Sequence, residues 1–122
     1  MTKAMMILIA GPYRSGTGDD PVKIDENVRA MESYAIPIFK KGHIPMLGEW
    51  LALPLVRLAG STRIGDEPFD EIFHPIAERL LDKCDAVLRV GGSSQGADLM
   101  LEVARKKGLQ IYHELEDIPP AN

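Results

Sequence analysis

The stretch Leu81–Tyr112, LDKCDAVLRVGGSSQGADLMLEVARKKGLQIY, decides how the rest of the chain is read. Ala86–Val90 is an apolar run of strand length, and Gly91-Gly92-Ser93-Ser94-Gln95-Gly96 follows at once. A helical pattern then runs to Lys107, Gly108 stops it, and Leu109–Tyr112 is apolar again. Strand, glycine-serine loop, helix and strand make one βαβ unit. Such a loop presents backbone N–H groups at the start of a helix. Those donors and the helix dipole favour an anion, most often a phosphate.

Working outward, Met5–Ala10 (MMILIA) is unbroken apolar sequence closed by Gly11-Pro12. Apolar residues at every position mark a strand covered on both faces, as in a parallel sheet. The loop Gly11–Pro21 follows its carboxyl end, where ligands bind in open α/β sheets. A helix is expected from Asp25 to Lys41, with Val28, Met31, Ala35, Ile38 and Phe39 at helical spacing and Pro37 bending its last turn. His43–Met46 reads as a short strand, and Pro45 places it at an edge. Leu47–Gly65 reads as an insertion holding a short apolar helix, Glu49–Leu53, that forms a lid or a subunit contact. Phe69–Lys83 reads as a helix whose apolar side carries Phe69, Ile72, Phe73, Ile76, Leu80 and Leu81. Glu114–Asn122 is an acidic tail.

This order predicts a three-layer α/β/α sandwich, flavodoxin/Rossmann-like, with a mainly parallel sheet of four or five strands. Residues 1–122 form a single domain. The first and third strands are expected side by side, so that the loops around Gly11 and Ser94 face one cleft. The formal charge of −4 argues against a nucleic-acid polymer bound through a broad basic surface, but admits a free nucleotide. No apolar run approaches a membrane span, and no signal arrangement precedes the first strand, so the expected location is the cytoplasm. The lone Cys84 reads as a core thiol. Asp19-Asp20 has no partner ligands at metal spacing, so neither a metal nor a cofactor is expected.

Gly11-Pro12-Tyr13-Arg14 and Ser94-Gln95-Gly96-Ala97, in this order, resemble the nucleoside 2-deoxyribosyltransferase-like superfamily. The resemblance extends to small bacterial domains related to the 2′-deoxynucleoside 5′-phosphate N-hydrolases. It runs through nearly the whole chain: a strand ending in Ala-Gly-Pro, a helix, a second strand, and a helix leading to Cys-Asp-Ala. Ser-x-Gly-Ala and a further helix complete it. It implies cleavage or transfer of an N-glycosidic bond, with a glutamate attacking the sugar carbon and an aspartate assisting. It implies a 5′-phosphate held by Ser94 and Gly96, a loop enlarged by Gly91, Gly92 and Ser93, and Arg14 facing the phosphate or a ribose hydroxyl. It also implies a homo-oligomer, for which the apolar Trp50–Leu58 segment is suited.

Carried over by position, the nucleophile falls on Met100 and the assisting aspartate on Ala77. Neither side chain can do that chemistry. Candidate substitutes are Asp98 and Glu102 on the same helix, Glu49 from a second segment, and His74. Two residues along a helix is a rotation of about 200°, so Asp98 and Glu102 point away from the face of Met100. Trp50 is a candidate for stacking on a base, and Tyr13 for lining the cleft. Two further readings stand beside this one. One is a non-catalytic nucleotide- or phosphate-binding regulatory module that lost its carboxylates. The other is a phosphoribohydrolase-like protein, of whose Pro-Gly-Gly-x-Gly-Thr run only Val90-Gly91-Gly92-Ser93 is echoed.

Overall fold

The computed structural model describes residues 2–121. Its layers follow from the two faces of strand β1 (Met6–Ala10). Ile7 and Ile9 enter one apolar cluster, with Met31, Ala35 and Ile38 from helices α1 (Pro21–Glu32) and α2 (Ala35–Lys40). Leu8 and Ala10 enter another, with Leu80 and Leu81 of α4 (Glu67–Leu81) and Met100, Leu101 and Ala104 of α5 (Gln95–Lys106). Strand residues alternate between faces, so a strand that is apolar throughout supplies both layers. Ile7, Leu8 and Ile9 are at most 2% exposed, and each contributes about 1.5–3 kcal/mol by burial.

The sheet is parallel and four-stranded, in the order β2-β1-β3-β4, with β2 at Ile44–Met46, β3 at Ala86–Arg89 and β4 at Gln110–Tyr112. β1 and β3 are neighbours, with Ile7 opposite Ala86 and Ala10 opposite Arg89. The chain moves one way from β1 to β2 and the other way from β1 to β3 and β4. With right-handed crossovers this puts α1 and α2 on one face and α4 and α5 on the other, a three-layer α/β/α sandwich. Pro45 lies in β2 at the edge, where its missing N–H costs no ladder bond.

Three segments differ from the expectation. The helix predicted over Asp25–Lys41 starts at Pro21, because the Asp20 side chain accepts the Val22 N–H and Pro21 suits a first turn. It breaks at Ser33-Tyr34, since the Pro37 ring would meet the Ser33 carbonyl of a continuous helix. Phe39 then lies 65% exposed. Second, Leu47–Gly65 holds an eleven-residue helix, α3 (Gly48–Leu58), laid along α4 rather than a short helix in a lid. Asp66 closes the following turn: it accepts the Ser61 hydroxyl and the N–H groups of Thr62, Arg63 and Phe69, the last as cap of α4.

Third, the acidic C-terminal segment folds back on the sheet. Ile118 is 1% exposed within the α1–α2 layer. Buried His43 joins this segment to Met5, the residue before β1. Its Nδ1 accepts the Met5 N–H at 3.0 Å and its Nε2 donates to the Pro119 carbonyl at 2.6 Å. A carbonyl can only accept, so the proton sits on Nε2. Cys84 is buried in the α4–α5 layer, as expected. Among the described residues no helix is long and apolar enough to cross a membrane.

Candidate functional site

The strand order reverses direction between β1 and β3, and the loops after them must part at their carboxyl ends. A crevice at that point is where α/β sheets bind ligands. Here a cleft of about 560 Å³ opens there, lined from β1, its loop, α3, α4 and the start of α5. The loops around Gly11 and Ser94 share it, as the sequence predicts.

The wall from α5 is narrower than the glycine-serine run implied. Ser94, Gln95 and Gly96 line the cleft, with Ala97 and Met100 behind them. Ser94 is buried, and its Oγ accepts the Ala97 N–H at 3.1 Å as the helix cap. Gly91, Gly92 and Ser93 lie exposed, outside the cleft lining. The nearly buried Arg89 side chain holds them there. Its guanidinium donates to the carbonyls of Val90 and Gly92 and to Asp98. Gly91 has φ +76°, and a Cβ there would sit 2.7 Å from the Pro12 ring. Pro12 thus packs under the turn and is outside the cleft lining too.

From the β1 loop come Gly11, Tyr13, Arg14, Ser15, Gly18 and Asp19. Tyr13 both packs and lines: its ring meets Phe73 at 4.9 Å between centroids, within a third apolar cluster joining α1, α3 and α4. Burial first, then the Glu49 charge, raises its phenol above the usual range. Arg14 is not a free cation. Its Nε and Nη2 each donate to an Asp19 carboxylate oxygen at 2.9 Å. Its guanidinium carbon stands 5.8 Å from the Phe69 ring centroid.

Glu49 distinguishes the cleft chemically. It stands in the first turn of α3, whose dipole favours an anion by about 0.3–1 kcal/mol. Burial outweighs that, pushing its carboxyl from 4.5 up to about 7 against the opposing hydrogen bond from its own backbone N–H. Among the described residues no other side chain bonds to this carboxyl, and no cation pairs with it within ion-pair distance. It lines the cleft together with the apolar Ala52, Phe73 and Ala77, the exposed His74, and Tyr13, whose phenol feels its charge.

The remaining candidates divide cleanly. Met100 and Ala77, the positions carried over for the catalytic carboxylates, both line the cleft, with apolar side chains. Asp98 pairs with Arg89 at 3.2 Å and Glu102 with Arg105 at 3.1 Å, and neither lines the cleft. Trp50 is outside it as well: its Nε1–H donates to Glu32 at 2.8 Å on the outer side of α3. Asp19, Gln95 and Phe73 belong to the lining and were missed by sequence reasoning. For Asp19 a signal existed, an acidic residue five after Arg14 in a glycine-rich loop. No protein-family model matches the chain, and neither a curated protein nor a solved structure matches it.

Proposed function

We propose that the cleft binds a nucleoside or nucleoside 5′-monophosphate, and that it cleaves or transfers the N-glycosidic bond. The observation that carries this reading is Glu49, an unpaired carboxyl in the cleft, held at about 7 by burial. A carboxyl near neutrality serves as acid and base in one cycle. Its neutral form gives a proton to the leaving base nitrogen as the C1′–N bond breaks and that electron pair leaves with the base. Water then adds to C1′, and its proton returns to the Glu49 carboxylate. Asp19, elsewhere in the same lining, is held below the usual carboxylate range by its hydrogen bonds from Arg14. Tyr13 and Phe73 supply aromatic surface for a base, and Ser94 to Gly96 supply the helix start for a phosphate.

The test is chromatographic release of free base from deoxy- and ribonucleosides and their 5′-monophosphates, with a second base as acceptor. Release that disappears in Glu49→Gln supports the reading; release unchanged in that variant, or none across the panel, sinks it. A second reading, a binding module without chemistry, is favoured by Met100 and Ala77 at the carried-over positions. It expects ligand binding with no turnover. As to assembly, we propose a homo-oligomer through α3, on which Leu51, Leu55 and Leu58 are exposed at helical spacing. A monomeric mass by light scattering at micromolar concentration would refute it.

A further inference from the structure

The Arg14–Asp19 pair is built unevenly. Apart from their mutual bond, the arginine is packed on two sides. Its guanidinium lies by the Phe69 ring, and Gly65 lets it approach so closely that a Cβ there would fall 3.3 Å from Nη2. The aspartate is held far less firmly. Asp19 is the one non-glycine residue with positive φ among the described residues, at +61°, a conformation that L side chains adopt at a cost. It sits in a loop with Gly16 and Gly18 also at positive φ. The Thr17 hydroxyl accepts its N–H at 3.1 Å, and its carboxylate bonds to Arg14. Both members of the pair are more than 40% exposed, so the bond between them is weak in net terms. Both also line the cleft.

Two planar N–H groups offered to two carboxylate oxygens is the same geometry that a phosphate monoester takes. We propose that Asp19 is an internal competitor for the anion site of the cleft: its carboxylate occupies the edge of Arg14 that the phosphate of a nucleotide or sugar phosphate takes when bound. Asp19 is then a specificity-determining residue. A phosphate monoester must displace it, and a neutral nucleoside leaves the pair closed. The exchange is a swap of hydrogen-bond acceptors and involves no covalent step. Asp70 adds negative charge near Arg14, so with Asp19 in place the surroundings of the guanidinium are acidic. Neutralising Asp19 therefore changes phosphate affinity more than sugar affinity.

The inference rests on the nucleotide reading only for its ligand, so the probe is ribose 5-phosphate, with free ribose and inorganic phosphate as controls. Calorimetric titration of the full chain compares wild type with Asp19→Asn, Asp19→Gly and Arg14→Gln. Asp19→Gly suits the positive φ, so it keeps the test valid should the asparagine variant fold poorly. Expected are about three- to ten-fold tighter ribose 5-phosphate binding in both Asp19 variants, loss of binding in Arg14→Gln, and no change for ribose. The gain shrinks as salt rises. Ribose 5-phosphate that binds equally or more weakly to the Asp19 variants overturns the proposal, as does its failure to bind any of the proteins at millimolar concentration. The two readings fail separately. Tighter sugar-phosphate binding with no nucleoside bound leaves the competitor standing without the nucleoside. Nucleoside cleavage with no effect of Asp19 does the reverse.

Discussion

Replacing Glu49 with glutamine keeps the shape of the side chain and removes its titration, so the difference between the two proteins isolates one proton. In the folded chain the carboxyl titrates at about 7, and in the unfolded chain near the ordinary 4.5. The folded state therefore holds its proton over a range where the unfolded state has lost it. Stability supplied by that proton is complete below about pH 4.5 and is lost as pH rises toward 7. A shift of this size is worth about 3 kcal/mol at its limit, from 1.36 kcal/mol per pH unit. Linkage gives a loss of about 1 kcal/mol by pH 5, about 2 by pH 6 and about 3 by pH 7, after which it levels off. Water reaching the cleft reduces each figure.

Glutamine is neutral throughout, so Glu49→Gln gains on wild type between pH 5 and pH 7 by up to about 2 kcal/mol, or roughly 6–10 °C in melting temperature for a chain of this size. The assay is thermal or urea unfolding of both proteins at pH 5, 6, 7 and 8. The same substitution abolishes base release, so a more stable and inactive variant at pH 8 is the joint expectation. A stability difference that does not move with pH would refute the reasoning, because the carboxyl would then not be held against its charge by burial.

Gly91→Ala forces a Cβ against the Pro12 ring at a positive φ, at an expected cost of about 1–3 kcal/mol, measured by urea unfolding. Gly92→Ala, with no neighbour within 4 Å of its Cβ, is the near-neutral control. Cys84 is pushed up to about 11 by burial and then by the Asp85 charge, so at pH 8 only roughly one thiol in a thousand is ionised. Native protein should resist a thiol-specific reagent and urea-unfolded protein react at once; fast native labelling contradicts the burial. His43→Phe leaves the Met5 N–H and the Pro119 carbonyl without their partner, at about 1–3 kcal/mol for each. Hydrogen exchange should rise at Met5 and along the C-terminal segment before it rises in β3, and uniform exchange across the chain counts against that local role.

The alternation of core residues on β1, the stop at Gly108, the edge position of Pro45 and the pairing of β1 with β3 are all legible in the residues. Each rests on a local period or on a backbone limit that the residue carries with it. The meeting of the Gly11 and Ser94 loops follows from strand order, which short right-handed connections restrict to few choices. What escaped the sequence depends on neighbours distant in the chain. Ser93 reads like Ser94, yet Arg89 and Pro12 turn the first outward while the helix cap holds the second in the cleft. Trp50 and Glu49 are adjacent and of opposite character. The packing of α3 on α4 sends the indole outward to Glu32 and encloses the carboxylate in the cleft. Arg14 reads as a free cation until the loop brings Asp19 to it. The sequence alone determined the layers, because burial along a strand or helix repeats with its period. The charge state of the cleft was decided only in the tertiary structure, because solvation and ion pairing depend on whatever the fold places alongside.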